Sequence, residues 1–280
     1  MDTLTADDGE TIHLRISGQG RPLVLLHGWT SSHRDWTPFI EPLAAHFRIF
    51  RWDARGHGGH APLTTTVPTV QRMAQDLHLL LAHYDVRDAV VVGHSMGALT
   101  LWQYVRDFGC ERLGRAVILD QSPRLLTDER WKLGVYGDFD AQRNEAFMAA
   151  LREDFAEAVL RLVADGHNAA AARAYAANTE GIQAMRQRLR KLAPAPLIAC
   201  WDSLTAADYR PVLAQMNIPT LLIYGGESNF YSTATAEYVA SQLPNAKLHI
   251  YEGVDHAPHL WKRDAFIDDL LEFAGMSARV

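Results

Sequence analysis

The chain has 280 residues, 48% of them apolar and 21% charged, and a formal net charge of −6. That is enough apolar chain for one sizeable core. No basic stripe or block of like charge points to nucleic acid or an anionic membrane. The two cysteines, Cys110 and Cys200, form no CxxC or Cys/His pattern, so reduced thiols holding no metal are expected. The opening MDTLTADDGETIHL has no apolar run of the export type, and no later run approaches a membrane span. A cytoplasmic protein that takes a small molecule, with no nucleic-acid or membrane partner, fits these facts. A homodimer is compatible with them.

In chain order, an opening strand is expected near Leu4. Thr11–Ser17 alternates apolar and polar side chains, as a half-exposed strand does. Residues 22–26 (PLVLL) are apolar throughout, the pattern of a strand buried on both faces. Similar short runs at 47–52, 89–92, 115–119, 220–224 and 247–251 bring the expected strands to eight. Val70, Met73, Leu77, Leu80, Leu81 and Tyr84 share one helical face. A second helix carries Leu99, Trp102 and Val105, and a last one Phe266, Leu270, Leu271 and Phe273. Strands alternating with helices predict a mostly parallel α/β sheet covered on both faces.

Residues 126–207 differ: they are rich in Ala, Arg and Glu and hold no convincing strand. FMAALREDFAEAVLRLVADG and NAAAARAYAANTEGIQAMRQRLRKL each read as helix, with breaks expected at Gly166 and at Pro194 and Pro196. The stretch is too long for a single crossover. It reads as a helical cap, residues 124–208, laid over the C-terminal edge of a core formed by 1–123 and 209–280.

The sharpest local signal is VVVGHSMGAL, where an apolar strand stops at Gly93-His94-Ser95-Met96-Gly97 and a helical ALTLWQYV follows. A tight strand-to-helix turn would lift the Ser95 hydroxyl out of the sheet, and small residues must flank it. The Met96 N–H, at the helix start, is then available to an oxyanion. A second such donor is expected from the loop after an earlier buried strand, Leu25-Leu26-His27-Gly28-Trp29, which makes Trp29 the candidate. A serine needs a base. Of thirteen histidines, His256 in GVDHAPH follows the last expected strand, where a parallel sheet places reactive groups. His259 reads as a helix-start residue, His57 and His60 in DARGHGGH as structural, and His27 and His94 as braces of the two oxyanion turns.

HGW, DARGHG, VVGHSMG and GVDHAPH, in this order, resemble the α/β-hydrolase fold family over the whole chain except the helical stretch, which is similar to that family's variable cap. The resemblance implies a Ser-His-acid triad. Many members carry the acid in the loop after the seventh strand. Here that loop reads Gly225-Gly226-Glu227-Ser228-Asn229, where Glu227 is the only carboxylate. A variant subset takes its acid from the end of the sixth strand, and Asp120 in ILDQSP stands there. The acid fixes the imidazole tautomer and stabilises imidazolium, which tolerates either origin. Asp120 is the assigned acid and Glu227 the alternative.

The chain also resembles the cofactor-free dioxygenases of this fold, which cleave 3-hydroxy-4-quinolone rings with a His/Asp dyad as base. The shared features are the Gly-Trp loop, the His33-Arg34 pair, RGHG and an acid after the sixth strand. It departs from them at Met96, where they carry a His after the serine, and at Ser31, where they carry a substrate-binding His. The expectation is therefore a serine hydrolase for a small to medium, largely apolar carboxylic ester or related acyl compound, working through an acyl-enzyme and needing no cofactor. Trp29, His94, Trp131 and Trp201 are expected to line its pocket. A silent receptor of the same fold is the non-enzymatic alternative, and turnover distinguishes the two.

Overall fold

The computed structural model describes residues 1–60 and 67–276. Eight strands form one sheet: β1 (Asp2–Thr5), β2 (Thr11–Ser17), β3 (Arg21–Leu26), β4 (Phe47–Asp53), β5 (Ala89–His94), β6 (Leu113–Leu119), β7 (Thr220–Gly225) and β8 (Ala246–Tyr251). Their spatial order is β1-β2-β4-β3-β5-β6-β7-β8. The first two strands pair antiparallel, β2 with β1 and with β4. All later pairings are parallel. All eight expected strands are present, and the α/β-hydrolase architecture is that of the sequence reading.

Side-chain alternation sorts each central strand between two cores. Val24, Val91, Ile118 and Leu222 pack on one face. Leu25, Val92, Leu119 and Ile223 pack on the other. Both residues of each neighbouring pair are buried, which is why these strands read as unbroken apolar runs. The second face is closed by a 3₁₀ segment, His33–Phe39, by α1 (Ile40–Leu43) and by the C-terminal helices α11 (Pro258–Trp261) and α12 (Arg263–Phe273). Trp36, Phe39 and Phe266 are fully buried there, each contributing roughly 2–3 kcal/mol of hydrophobic burial.

The first face carries α2 (Val70–His83) and α3 (Met96–Phe108). Thr69 starts α2 by accepting the Arg72 N–H, and Val70, Met73, Leu77, Leu80 and Leu81 all point inward. Thr→Ala at such a cap costs about 1 kcal/mol. After β7, α10 (Thr233–Gln242) covers the same face.

Between β6 and β7 run α4 (Ala141–Glu153), α5 (Phe155–Ala164), α6 (Ala169–Ala176), α7 (Glu180–Leu189), α8 (Pro194–Ala206) and the short α9 (Arg210–Leu213). Each of the two long helices read from the sequence is in fact a pair. Asp154 leaves the helix with ψ 95° and accepts the Glu157 N–H, so one carboxylate ends α4 and caps α5. Asn178, at φ 46°, ends the α6 segment before Thr179 opens α7. Asp, Asn and Thr compete for backbone donors and so favour caps over helix interiors. Pro194, expected as a breaker, instead starts α8, where its missing N–H costs nothing. No helix among the described residues is long and apolar enough to cross a membrane.

Candidate active site

The parallel strands end along one edge of the sheet, and the singled-out residues gather there. Ser95 sits between β5 and α3 at φ 52° and ψ −117°, a strained angle pair for a residue with a Cβ. The turn is tight enough to dictate its flanks. A Cβ on Gly97 would lie 2.3 Å from the Leu26 carbonyl oxygen, and one on Gly93 would lie 2.7 Å from the Ala98 nitrogen. Gly28 packs against the same turn, its position for a Cβ 3.4 Å from that of Ser95. The backbone N–H groups of Trp29 and Met96 donate to no acceptor among the described residues, although the Met96 side chain is buried. Two unspent donors therefore belong to residues that line the same cavity as Ser95.

The two flanking histidines brace these turns. His27 donates from Nδ1 to the Gly28 carbonyl at 2.8 Å and accepts the Ala54 N–H at Nε2, 3.0 Å away. His94 donates from Nε2 to the His256 carbonyl at 2.9 Å. Burial holds both imidazoles neutral, with their pKa below the ordinary value. His94 thus ties the serine turn to the His256 loop.

Asp120 follows β6 at φ 46° and is fully buried. Its backbone N–H still bonds the Ile223 carbonyl at 3.0 Å, extending the β6–β7 ladder by one step. The left-handed twist follows that last bond. One carboxylate oxygen, Oδ2, accepts the Gly225 N–H at 3.3 Å, and Oδ1 accepts the Ser228 hydroxyl at 3.2 Å. Oδ1 lies 3.7 Å from His256 Nδ1, beyond hydrogen-bond length. His256 Nδ1 is buried and has no hydrogen-bond partner among the described residues. Burial raises the Asp120 carboxyl pKa, and His256, Gly225 and Ser228 partly oppose that rise. The His256 ring is walled by Phe230, edge-on with centroids 4.5 Å apart, and by Tyr231.

The Glu227 side chain is exposed; only its backbone is engaged, through the Val254 and Asn168 contacts. The structure brings Asp120 to His256 and does not bring Glu227. His33, of the pair shared with the dioxygenases, is buried against Asp53 outside the cavity.

Ser95, His256, Trp29, His94 and Trp201 line one cavity of about 280 Å³ with a mainly apolar wall. Trp29 donates its indole N–H to the Leu197 carbonyl at 2.9 Å and packs at 4.8 Å on Trp201. Trp131 is not in the cavity, which corrects the expectation from sequence. Its indole donates to the Arg124 carbonyl at 3.0 Å, Tyr238 meets it edge-on, and the Arg210 guanidinium lies over its face. Trp131 therefore packs the start of the inter-strand segment onto the body of the protein. Sequence reasoning missed Val159, Leu162, Phe230 and Tyr231, which also line the cavity. It missed too the part of Ser228 beside Asp120. The helical face of FAEAVLRLVA pointed to the first two, but nothing local says which element that face meets.

Residues 21–263 match the family model of the alpha/beta hydrolase fold. The chain is 31% identical to a non-heme chloroperoxidase, CPO-A1, of Kitasatospora aureofaciens, over 98% of this chain and 99% of that one. It is 29% identical to a pimeloyl-[acyl-carrier protein] methyl ester esterase of Vibrio vulnificus (strain CMCP6), over 94% and 98%. Among solved structures it superposes on a bromoperoxidase from Bacillus anthracis with TM-score 0.84 at 25% identity, covering 98% and 100%. An esterase from Exiguobacterium antarcticum superposes with the same TM-score, 0.84, at 19% identity over 98% of each chain. The chain belongs to the α/β-hydrolase fold family. It is an enzyme of that fold, with esterases among its relatives.

Proposed function

We propose that the chain is a serine hydrolase of small to medium carboxylic esters or related acyl compounds. The observation that carries this reading is the convergence at one apolar cavity of Ser95 on its strained turn and of His256, whose Nδ1 faces the buried Asp120 carboxylate at 3.7 Å. His256 takes the Ser95 proton as the oxygen attacks a carbonyl carbon. Asp120 keeps the Nδ1–H tautomer and stabilises the imidazolium. The Trp29 and Met96 N–H groups receive the oxyanion, each contributing on the order of 3 kcal/mol to the barrier. His256 returns the proton to the leaving alcohol, and water, activated by the same imidazole, hydrolyses the acyl-enzyme. The helices between β6 and β7 act as the cap proposed for residues 124–208. Val159, Leu162 and Trp201 from them wall the acyl site.

The substrate is apolar near the scissile bond because the cavity wall is. The name of the Vibrio relatives makes an acyl methyl ester a sensible first substrate beside 4-nitrophenyl acetate and butyrate. The test is intact mass after incubation with a fluorophosphonate, together with turnover by the unaltered protein, Ser95→Ala and Asp120→Asn. One adduct, absent in Ser95→Ala, with turnover lost in both variants, is the expected result. No adduct and no turnover would overturn the reading and favour oxygen consumption with hydroxyquinolones as the next assay.

A further inference from the structure

Ser228 stands in the β7–α10 loop, where the resemblance led to an acid being expected, and its hydroxyl is fully committed. It accepts two backbone N–H groups, Phe230 at 3.3 Å and Tyr231 at 3.3 Å. A serine hydroxyl has two acceptor sites and one proton. With both lone pairs taken, the proton has one partner left, Asp120 Oδ1 at 3.2 Å. Ser228 is buried, 2% exposed, so water offers no substitute.

We propose that Ser228 is a positioning residue for the catalytic acid: its hydroxyl donates to the Asp120 carboxylate and aims Oδ1 at His256 Nδ1. The inference rests on the Ser95–His256–Asp120 reading above. Gly225 fixes the other oxygen from the end of β7, so the carboxylate is held between two neutral donors from one loop. A buried carboxylate without such donors gains a proton, and a protonated Asp120 cannot stabilise imidazolium. Where the resemblance led to a carboxylate being expected, the loop carries a donor that serves the carboxylate one strand away.

The titratable groups facing Asp120 and its partner are few. Among the described residues they are His256 from the loop after β8, Tyr224 from β7, Tyr231 from the same loop as Ser228, His94 against the His256 ring, and His259 behind His94. The two tyrosines are held neutral by burial, and His94 and His259 are neutral for the same reason.

The sign of the effect is fixed. Removing the donor raises the carboxyl pKa. It also leaves the anion less satisfied, so it holds the His256 proton more tightly. Both move the acidic limb of kcat/KM against pH to higher pH. The experiment measures that limb for the unaltered protein, Ser228→Ala and the near-isosteric Ser228→Cys, whose thiol is a weak donor. The expected result is an upward shift of roughly half to one pH unit in Ser228→Ala, a smaller shift the same way in Ser228→Cys, and kcat lower by about tenfold at neutral pH. A limb that stays in place in the folded variants, with only KM changed, would overturn the proposal and leave Ser228 as a loop brace. Asp120→Asn, run alongside, keeps the two ideas apart: if it retains activity the triad reading has failed, whereas loss there with an unmoved limb in the Ser228 variants sinks only this inference.

Discussion

Two aspartate–histidine clusters sit on the C-terminal edge of the sheet, a few strands apart, and their construction differs. Asp53, at the end of β4, accepts the His33 N–H at 2.6 Å, His33 Nδ1 at 2.8 Å and His60 Nε2 at 2.7 Å. His33 is used at both nitrogens, since its Nε2 accepts the Arg15 Nε–H at 3.3 Å. Burial alone would raise the Asp53 carboxyl, but the His33 backbone N–H and the two imidazole hydrogen bonds hold it below the usual range. Asp120 has two neutral donors, and its imidazole stands off at 3.7 Å with Nδ1 unbonded. The saturated cluster locks a loop in one arrangement. The unsaturated one leaves an imidazole nitrogen without a partner among the described residues. Both clusters border a cavity, Asp53 and His60 one of about 340 Å³ and His256 the one shared with Ser95, so neither close Asp–His geometry nor a cavity by itself marks chemistry on this edge; the spare nitrogen is the better guide.

The largest expected effect separates the clusters by function. Ser95→Ala lowers kcat by on the order of 10⁴-fold or more, with melting temperature nearly unchanged, in an ester-turnover assay paired with thermal unfolding. Asp120→Asn follows at about 10³- to 10⁴-fold, because the wrong tautomer is then favoured, while Glu227→Gln stays within about twofold. If Glu227→Gln were the damaging variant, the acid would have to be moved to the loop after β7. The structural cluster answers in the opposite currency. Asp53→Ala costs about 3–5 kcal/mol of unfolding free energy, since it leaves buried imidazole and backbone donors unpaired, whereas the kcat/KM of whatever folds falls far less than in Asp120→Asn. Equal losses of activity would erase the distinction drawn above.

A smaller effect concerns pH. His57 and His259 are buried, and burial lowers each to about 3; His27 and His94 are lowered for the same reason. The unfolded chain binds protons on these groups from about pH 6.5 downward, and the folded one does not until far lower. The stability they allow is complete above about pH 6.5 and is lost as pH falls toward their folded values, so the urea midpoint falls steadily from pH 7 to pH 4. A midpoint flat over that window would contradict neutral burial of these rings. The smallest effect tests the corrected tryptophan. Trp131→Phe leaves kcat/KM within about twofold, while Trp201→Ala, which opens the cavity wall, raises KM several-fold.

Much of this was legible in the chain. Residues 22–26 and 89–92 are apolar because strands buried on both faces have no polar side, and the glycines around Ser95 are there because a Cβ would strike backbone. Asp120 was reachable as well, since ILDQSP ends a strand with a carboxylate. Other features were not. The helix pairs α4–α5 and α6–α7 each read as one helix because Asp154 and Asn178 interrupt the backbone without interrupting the composition. Trp131 looked like Trp201 in sequence, and the two differ only in what packs against them.

What the sequence by itself determined was the architecture and the candidate groups for the proposed chemistry, because strand burial, turn sterics and the need of a serine for a base are local demands that leave local marks. What only the tertiary structure decided was which groups meet. The 3.7 Å approach of Asp120 to His256, the hydroxyl of Ser228 turned on that carboxylate, and the walls of the cavity all join residues far apart along the chain. Such contacts are set by how strands and helices pack, and packing distance has no signature in the order of residues.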